Sequence, residues 1–133
     1  MTLEEARSYF SGDRYSTECT GIGIDAVGKH YSKCSLTLNE KHMNACGFVM
    51  GAVYYTLADF SFAVATESGR ETLTVTTVGQ ISYLDICRGK KLIAECRALR
   101  EGAHMCYYVV NITDENGTLA ATVNISGMHV AVR

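Results

Sequence analysis

Apolar and polar positions alternate in two short stretches near the start of the chain and in four longer ones toward its end. Between them lies a segment that is apolar on almost every side. "TGIGIDAVG" and "HYSKCSLTL" read as two strands joined near Gly28, with Ile22, Ile24 and Ala26 on one face of the first and Cys34, Leu36 and Leu38 on one face of the second. "ETLTVTTVGQISYLDI", "KKLIAECRALR", "HMCYYVVNIT" and "TLAATVNISGMHV" read as four more, separated at Arg88-Gly89, Glu101-Gly102 and Asp114-Glu115-Asn116-Gly117. In the last of these Leu119, Ala121, Val123 and Ile125 should face one way, opposite Thr118, Thr122, Asn124 and Ser126. Ahead of all of them, "TLEEARSYF" predicts a short helix with Thr2 as its cap. The order predicts an α+β architecture in which an antiparallel meander wraps around one long helix.

That helix carries the sequence's main puzzle. Within "HMNACGFVMGAVYYTLADFSFAVATE", the stretch after Gly47 is apolar on nearly every side except for one carboxylate, Asp59, set in its middle, and a buried acid without a partner costs several kcal/mol, about 3–5 when a pair is broken. Asp59, with Thr56 and Ser61 beside it and no basic flank, also argues against a membrane span. At 133 residues the chain is long enough for one core, and without proline, repeat or low-complexity tract it is expected to form a single domain, 1–133. With 47% hydrophobic and 20% charged residues it is globular in composition, and a net charge of -2 gives no basic footprint for nucleic acid. "MTLEEARSYFSGDRY" lacks the basic start and apolar run of a secretory signal, so a cytoplasmic location is expected. In that compartment Cys19, Cys34, Cys46, Cys87, Cys96 and Cys106 are expected to be mostly small buried residues, and the sequons at Asn111, Asn116 and Asn124 unmodified.

Gly47 and Gly51 stand where the first N–H groups of the helix lack internal partners, and a helix N-terminus favours negative charge. This combination suits an oxyanion hole, for which Asp59 would supply a general base or a nucleophile. Gly51 and Asp59 are eight residues apart, however, which is about 12 Å along a helix axis. One chain cannot aim both at a single carbonyl, whereas two antiparallel helices in a two-fold dimer can.

The stretch "HMNACGFVMGAVYYTLADFSFA" resembles the signature of hotdog-fold acyl-CoA thioesterases of the phenylacetic-acid-degradation type, in which His-x-Asn-x-x-Gly-x-x-His-Gly-Gly is followed by Leu-Ala-Asp. His42, Asn44, Gly47, Gly51, Leu57, Ala58 and Asp59 match, and the order of strands is similar from about residue 20 onward. The resemblance implies a hotdog fold and hydrolysis of an acyl-CoA thioester to free acid and coenzyme A. It implies Asp59 as the catalytic carboxylate, the Gly51 N–H as the carbonyl's partner, Asn44 as a positioning group, and Thr76 as the hydroxyl on the following strand. His42, Gly47 and Met50 would lie against substrate, and the segment from Tyr83 to Arg88 with the turn from Arg100 through Gly102 to His104 would meet coenzyme A. Arg88, Lys90, Lys91 and Arg100 are the cations available for its phosphates. No separate cofactor is implied, since coenzyme A is part of the substrate, and the partner is a second copy of the chain in a dimer or a tetramer of two dimers. Two positions depart from the pattern: Met50 replaces the His before the double glycine and Ala52 replaces the second glycine. Met50 cannot donate a hydrogen bond to a thioester.

Those departures motivate an alternative, a hotdog protein that binds acyl-CoA or another small ligand without turnover. A hotdog dehydratase is a second alternative, but it would need a nearby catalytic His that Met50 removes. Cys46 has no His–acid pair at a spacing suited to a thiol nucleophile, and His30, His104 and His129 read as strand or rim residues. No grouping of His, Cys and acids has zinc spacing, so no metal is expected. Tyr54 and Tyr55 read as core and interface residues, and either could also line an acyl pocket.

Overall fold

The computed structural model describes residues 1–132. Helix α1 (Leu3–Phe10) starts as the sequence predicts. The Thr2 hydroxyl accepts from the Glu5 N–H at 3.1 Å and the Glu5 carboxylate accepts from the Thr2 N–H at 3.2 Å, a reciprocal capping box. Ala6 and Phe10 on its inner face are buried, and the Phe10 ring meets Phe60 edge to face. A π-helical turn, Tyr15–Thr20, leads into strands β1 (Gly23–Gly28) and β2 (Tyr31–Thr37). The pairing slips at Asp25, so that Ile24 stands opposite Cys34 but Ala26 stands opposite Lys33. This bulge moves Ala26 off the face it was expected to share with Ile22 and Ile24, and puts Val27 opposite buried Ser32 instead.

A 3₁₀ turn (Glu40–His42) and an exposed loop precede α2 (Gly51–Ala65). Strands β3 (Thr72–Tyr83), β4 (Lys91–Glu101), β5 (Met105–Asp114) and β6 (Leu119–Ala131) complete one six-stranded sheet in the order β1-β2-β4-β5-β6-β3, antiparallel at every pairing. Only β4, β5 and β6 form a meander in chain order. β3 pairs with β6 at the edge, so Arg88-Gly89 lies in a crossover and not in a hairpin turn. Residues 84–90 must span three strand spacings of about 4.8 Å each. They pass beneath the β5–β6 hairpin, which holds them: the Leu84 N–H donates to the Ala120 carbonyl at 2.8 Å, the Arg88 N–H to Asp114 Oδ2 at 3.4 Å, and the Lys90 N–H to both carboxylate oxygens of Glu115. The expected Asn-Gly turn of that hairpin is present, with Gly117 at φ 86.

α2 lies across β2, β4 and β5, and Leu57, Ala58, Phe60 and Phe62 bury against Leu36, Leu92, Val110, Ile112 and Ile125. Ala121, Val123 and Ile125 of β6 face this core as expected. Leu119 does not, because the register shifts between Ile112 and Thr113 and turns it to the outer face, where it is 41% exposed. Cys34, Cys96 and Cys106 are buried, Cys87 is half-buried, Cys19 and Cys46 are exposed, and all six are free thiols. No helix among the described residues is long and apolar enough to cross a membrane.

Candidate active site

The helix that reads as apolar all round has one uncovered flank. Ala52, Tyr55, Thr56, Asp59 and Ala63, spaced by three or four residues, form a partly or fully exposed stripe along α2. Asp59 is therefore not buried within the protomer as the sequence suggests. The flank is turned toward β3: Gly79 of that strand has no side chain, and a Cβ there would lie within 1.8 Å of the Tyr55 hydroxyl. The Asp59 carboxyl lies above its ordinary pKa, first because neighbouring groups desolvate it and second because of the negative charge of Asp13. Burial, with Asp59 as the next cause, pushes the Tyr55 hydroxyl up in the same way. Asp13 and Tyr55 are thus the neighbours of Asp59 that sequence reasoning did not place. Tyr55 is visible in hindsight as the residue one turn before Asp59; nothing in the sequence ties Asp13 to it.

The first turn of α2 presents free donors. Met50 is the N-cap and makes no side-chain capping bond, while the Val53 N–H folds back to the Met50 carbonyl at 3.0 Å. The N–H groups of Gly51 and Ala52 have no acceptor among the described residues. Gly51 serves a packing purpose besides. Its missing Cβ would stand 2.7 Å from the Tyr83 hydroxyl, which donates to the Gly51 carbonyl at 2.9 Å while the Tyr83 ring meets Tyr54 edge to face. Tyr83, expected against substrate, therefore also braces the end of β3 to the start of the helix.

Two residues of the motif use polar atoms to hold the loop itself. His42 is buried, with Nδ1 accepting from the Asn39 N–H at 3.0 Å and Nε2 at 2.7 Å from the Thr20 carbonyl. Both ring nitrogens are taken, so His42 fixes the loop and contacts substrate through neither of them. Asn44 Oδ1 accepts from the N–H groups of Cys46 and Phe48 at 2.9 and 3.1 Å, closing a turn in which Gly47 sits at φ 83. The Asn44 carbonyl oxygen is thus spent on loop geometry, and its NH₂ group is what it offers a ligand. Met50 is half exposed beside Ala52 in a groove of about 160 Å³ that Tyr15, His42 and Thr56 also line.

Thr76 is exposed on β3 opposite Gly127, just before a bulge at Thr77. The candidate phosphate ligands do not converge. Arg88, Lys90 and Lys91 precede or begin β4 at the end of the sheet that holds Gly51 and Tyr83. Arg100 is nine residues along β4, roughly 30 Å away at about 3.3 Å per residue. Gly102 belongs to the β4–β5 turn, where its N–H donates to the Met105 carbonyl at 2.9 Å. One coenzyme A phosphate cannot use both groups of cations in one chain.

The comparisons with known proteins agree with this architecture. Residues 46–121, which include α2 and most of the sheet, match the family model described as Thioesterase superfamily. An inferred esterase of Archaeoglobus fulgidus is 28% identical over 121 residues, covering 90% of this chain and 77% of that protein. A thioesterase from Haemophilus influenzae superposes with a TM-score of 0.87 at 20% identity, over 98% of this chain and 92% of its own. The phenylacetic-acid-degradation protein of Escherichia coli superposes with a TM-score of 0.82 at 17% identity, over 98% and 97%. The family model covers more than half of the chain, and the chain accordingly belongs to the Thioesterase superfamily, a thioester hydrolase built on the hotdog fold.

Proposed function

We propose that the protein hydrolyses acyl-CoA thioesters at a site completed by a second copy of the chain, with the Gly51 N–H of one copy on the thioester oxygen and Asp59 of the other beside the carbonyl carbon. The observation that carries this reading is Asp59 itself: a carboxylate with no hydrogen-bond or ionic partner among the described residues, on the flank of α2 that faces the sheet's open edge. β3 is a long edge strand with Leu73, Val75 and Val78 exposed, the kind of edge that pairs with another chain. Pairing β3 with its two-fold mate would set two α2 helices side by side and antiparallel, so that each N-terminus approaches the other's midpoint. The 160 Å³ groove over the first turn is also too small for such a substrate, since ligand pockets run to about 300–1,000 Å³.

In this arrangement the free amides and dipole of the helix N-terminus stabilise the tetrahedral oxyanion. Asp59 takes a proton from the attacking water and returns it to the departing coenzyme A thiolate. A carboxyl held above its ordinary pKa suits that exchange, because a general base works best near the ambient pH. Arg88, Lys90 and Lys91, at the end of the sheet nearest Gly51, are the cations this reading assigns to the phosphates.

A panel of acyl-CoAs followed by thiol release tests the proposal. Asp59→Asn and Asp59→Ala should lower kcat by about a hundredfold or more with little change in coenzyme A affinity. Near-normal turnover in both folded variants removes Asp59 from the chemistry. Mixing Asp59→Ala with Gly51→Val under subunit exchange tests the shared site. A mixed dimer gathers both lesions in one site and leaves the other whole, so about a quarter of all sites should recover at equal mixing. Mixed dimers as inactive as their parents would place the site within one chain.

A further inference from the structure

At the end of the sheet away from Gly51, residues distant in the chain come together. Glu101 on β4 stands opposite Cys106 on β5, Cys106 stands opposite Gly127 on β6, and His129 follows two residues later on the same face. Gly127 makes the gathering possible, since a Cβ there would lie 3.0 Å from Cys106 Sγ and 2.8 Å from the Phe62 ring. One ligand atom each from Glu101, Cys106 and His129 lie within 4.8 Å of one another. The intervals of five and 23 residues between them follow no zinc motif, which is why the sequence reads His129 as a rim residue.

The surrounding hydroxyls sort the atoms of this group. Thr74 Oγ1 lies 2.8 Å from His129 Nδ1, which leaves Nε2 pointing to Glu101 Oε1. The Tyr108 hydroxyl donates to Glu101 Oε2 at 2.5 Å, which leaves Oε1 facing the imidazole. Cys106 is 3% exposed and forms the floor, whereas the side chains of His129 and Glu101 are 15% and 22% exposed and leave a mouth open to solvent. At that mouth the tip of the β1–β2 hairpin holds His30 at φ 53, with Nδ1 3.8 Å from Glu101 Oε2.

We propose that Cys106 Sγ, His129 Nε2 and Glu101 Oε1 bind a divalent transition-metal ion of the zinc class, with His30 turning in as the fourth ligand. A thiolate, an imidazole and a carboxylate are the donors that zinc, cobalt and their neighbours accept together, whereas magnesium and calcium take oxygen alone. Holding the second imidazole nitrogen and the second carboxylate oxygen with hydroxyls is how proteins orient metal ligands. Tetrahedral bonds of about 2.0–2.3 Å set ligands roughly 3.3–3.7 Å apart, so the widest pair must close by at most about 1 Å while Nε2 and Oε1, now in hydrogen-bond contact, must part to admit the ion. The ion takes the place of the proton between Nε2 and Oε1: the thiol proton leaves to solvent, and the imidazole proton moves to Nδ1, which then donates a hydrogen bond to the Thr74 hydroxyl. The ion would tie the β1–β2 tip to β4, β5 and β6, independently of the acyl-CoA site.

The test is a cobalt(II) titration of the whole chain after chelator treatment, in a Cys19→Ser, Cys46→Ser background that removes the exposed thiols. Saturation at one ion per chain, with a thiolate-to-cobalt charge-transfer band that zinc abolishes by displacement, is expected. Cys106→Ser should remove the band, and His129→Gln should weaken binding at least tenfold. Thr74→Val, which alters only the outer hydroxyl, should weaken it by about 10–100-fold. If Cys106→Ser does not fold, X-ray absorption of the parent's zinc complex decides, with one sulfur at about 2.3 Å expected. An absence of saturable binding, a band that survives in folded Cys106→Ser, or a zinc shell without sulfur overturns the proposal.

Discussion

The contact between Tyr83 and Gly51 makes a prediction that can be worked out atom by atom. Tyr83→Phe removes a hydrogen bond of 2.9 Å made by a ring that is 55% exposed, which should cost about 0.5–1 kcal/mol, the lower part of the usual range. Gly51→Ala puts a methyl 2.7 Å from that hydroxyl, where ordinary contact begins near 3.4 Å, so the hydroxyl must retreat by about 0.7 Å. At roughly 3.6 Å from the carbonyl the bond is gone. Alanine's helical preference over glycine, about 1 kcal/mol in a helix interior and less at the first position after the N-cap, offsets part of that loss and leaves Gly51→Ala slightly destabilising. In the Tyr83→Phe background there is no bond left to lose, and the nearest remaining atom is the ring carbon at 3.1 Å. Gly51→Ala should then stabilise, and the double variant should be better than the sum of the singles by about 0.5–1 kcal/mol. Urea midpoints at fixed protein concentration and equal m-values measure this directly. Costs that add to within about 0.3 kcal/mol would show that the ring does not touch the start of the helix.

Asp13→Asn removes the charge that helps hold the Asp59 carboxyl up, so the acidic limb of the kcat/KM profile should move to lower pH; an unmoved limb would separate the two carboxyls. Arg88→Ala should raise KM for acyl-CoA several-fold and flatten its salt dependence, and the reverse outcome, with Arg100→Ala alone doing so, would put coenzyme A at the opposite end of β4. Burial pushes Asp114 up, but the N–H donors of Thr118, Arg88 and Asn116 together outweigh it, and its pKa lies below the ordinary carboxylate value. Its contribution is therefore present above the unfolded-state pKa, near about 3.9, and is lost as pH falls through the lower folded value. Thermal melts of Asp114→Asn should lie below those of the parent at pH 7 and converge with them in acid; a constant gap would refute this linkage.

The sequence alone determined what local chemistry determines. The capping box of α1 depends on Thr2 and Glu5, three residues apart, and the β5–β6 hairpin on an Asn-Gly pair, so both were legible from short stretches. The strands were legible because a period of two reflects which face meets the core, and α2 because a long, nearly unbroken apolar run suits a buried helix, although such a run hides which flank stays open. The family signature likewise reads within one segment, from His42 to Asp59. Strand order was not legible: β3 lies at the edge because the 84–90 crossover binds to Ala120, Asp114 and Glu115, acceptors remote in sequence. Bulges at Asp25 and near Ala120 reversed the faces of Ala26 and Leu119, since one extra residue inverts everything beyond it. The inward turn of His42, the exposure of Asp59 beside Asp13, and the meeting of Glu101, Cys106 and His129 were likewise decided only when distant segments packed together. Pattern along a chain records which side of an element is buried; which side chains then meet is set by the register and order in which the elements pack.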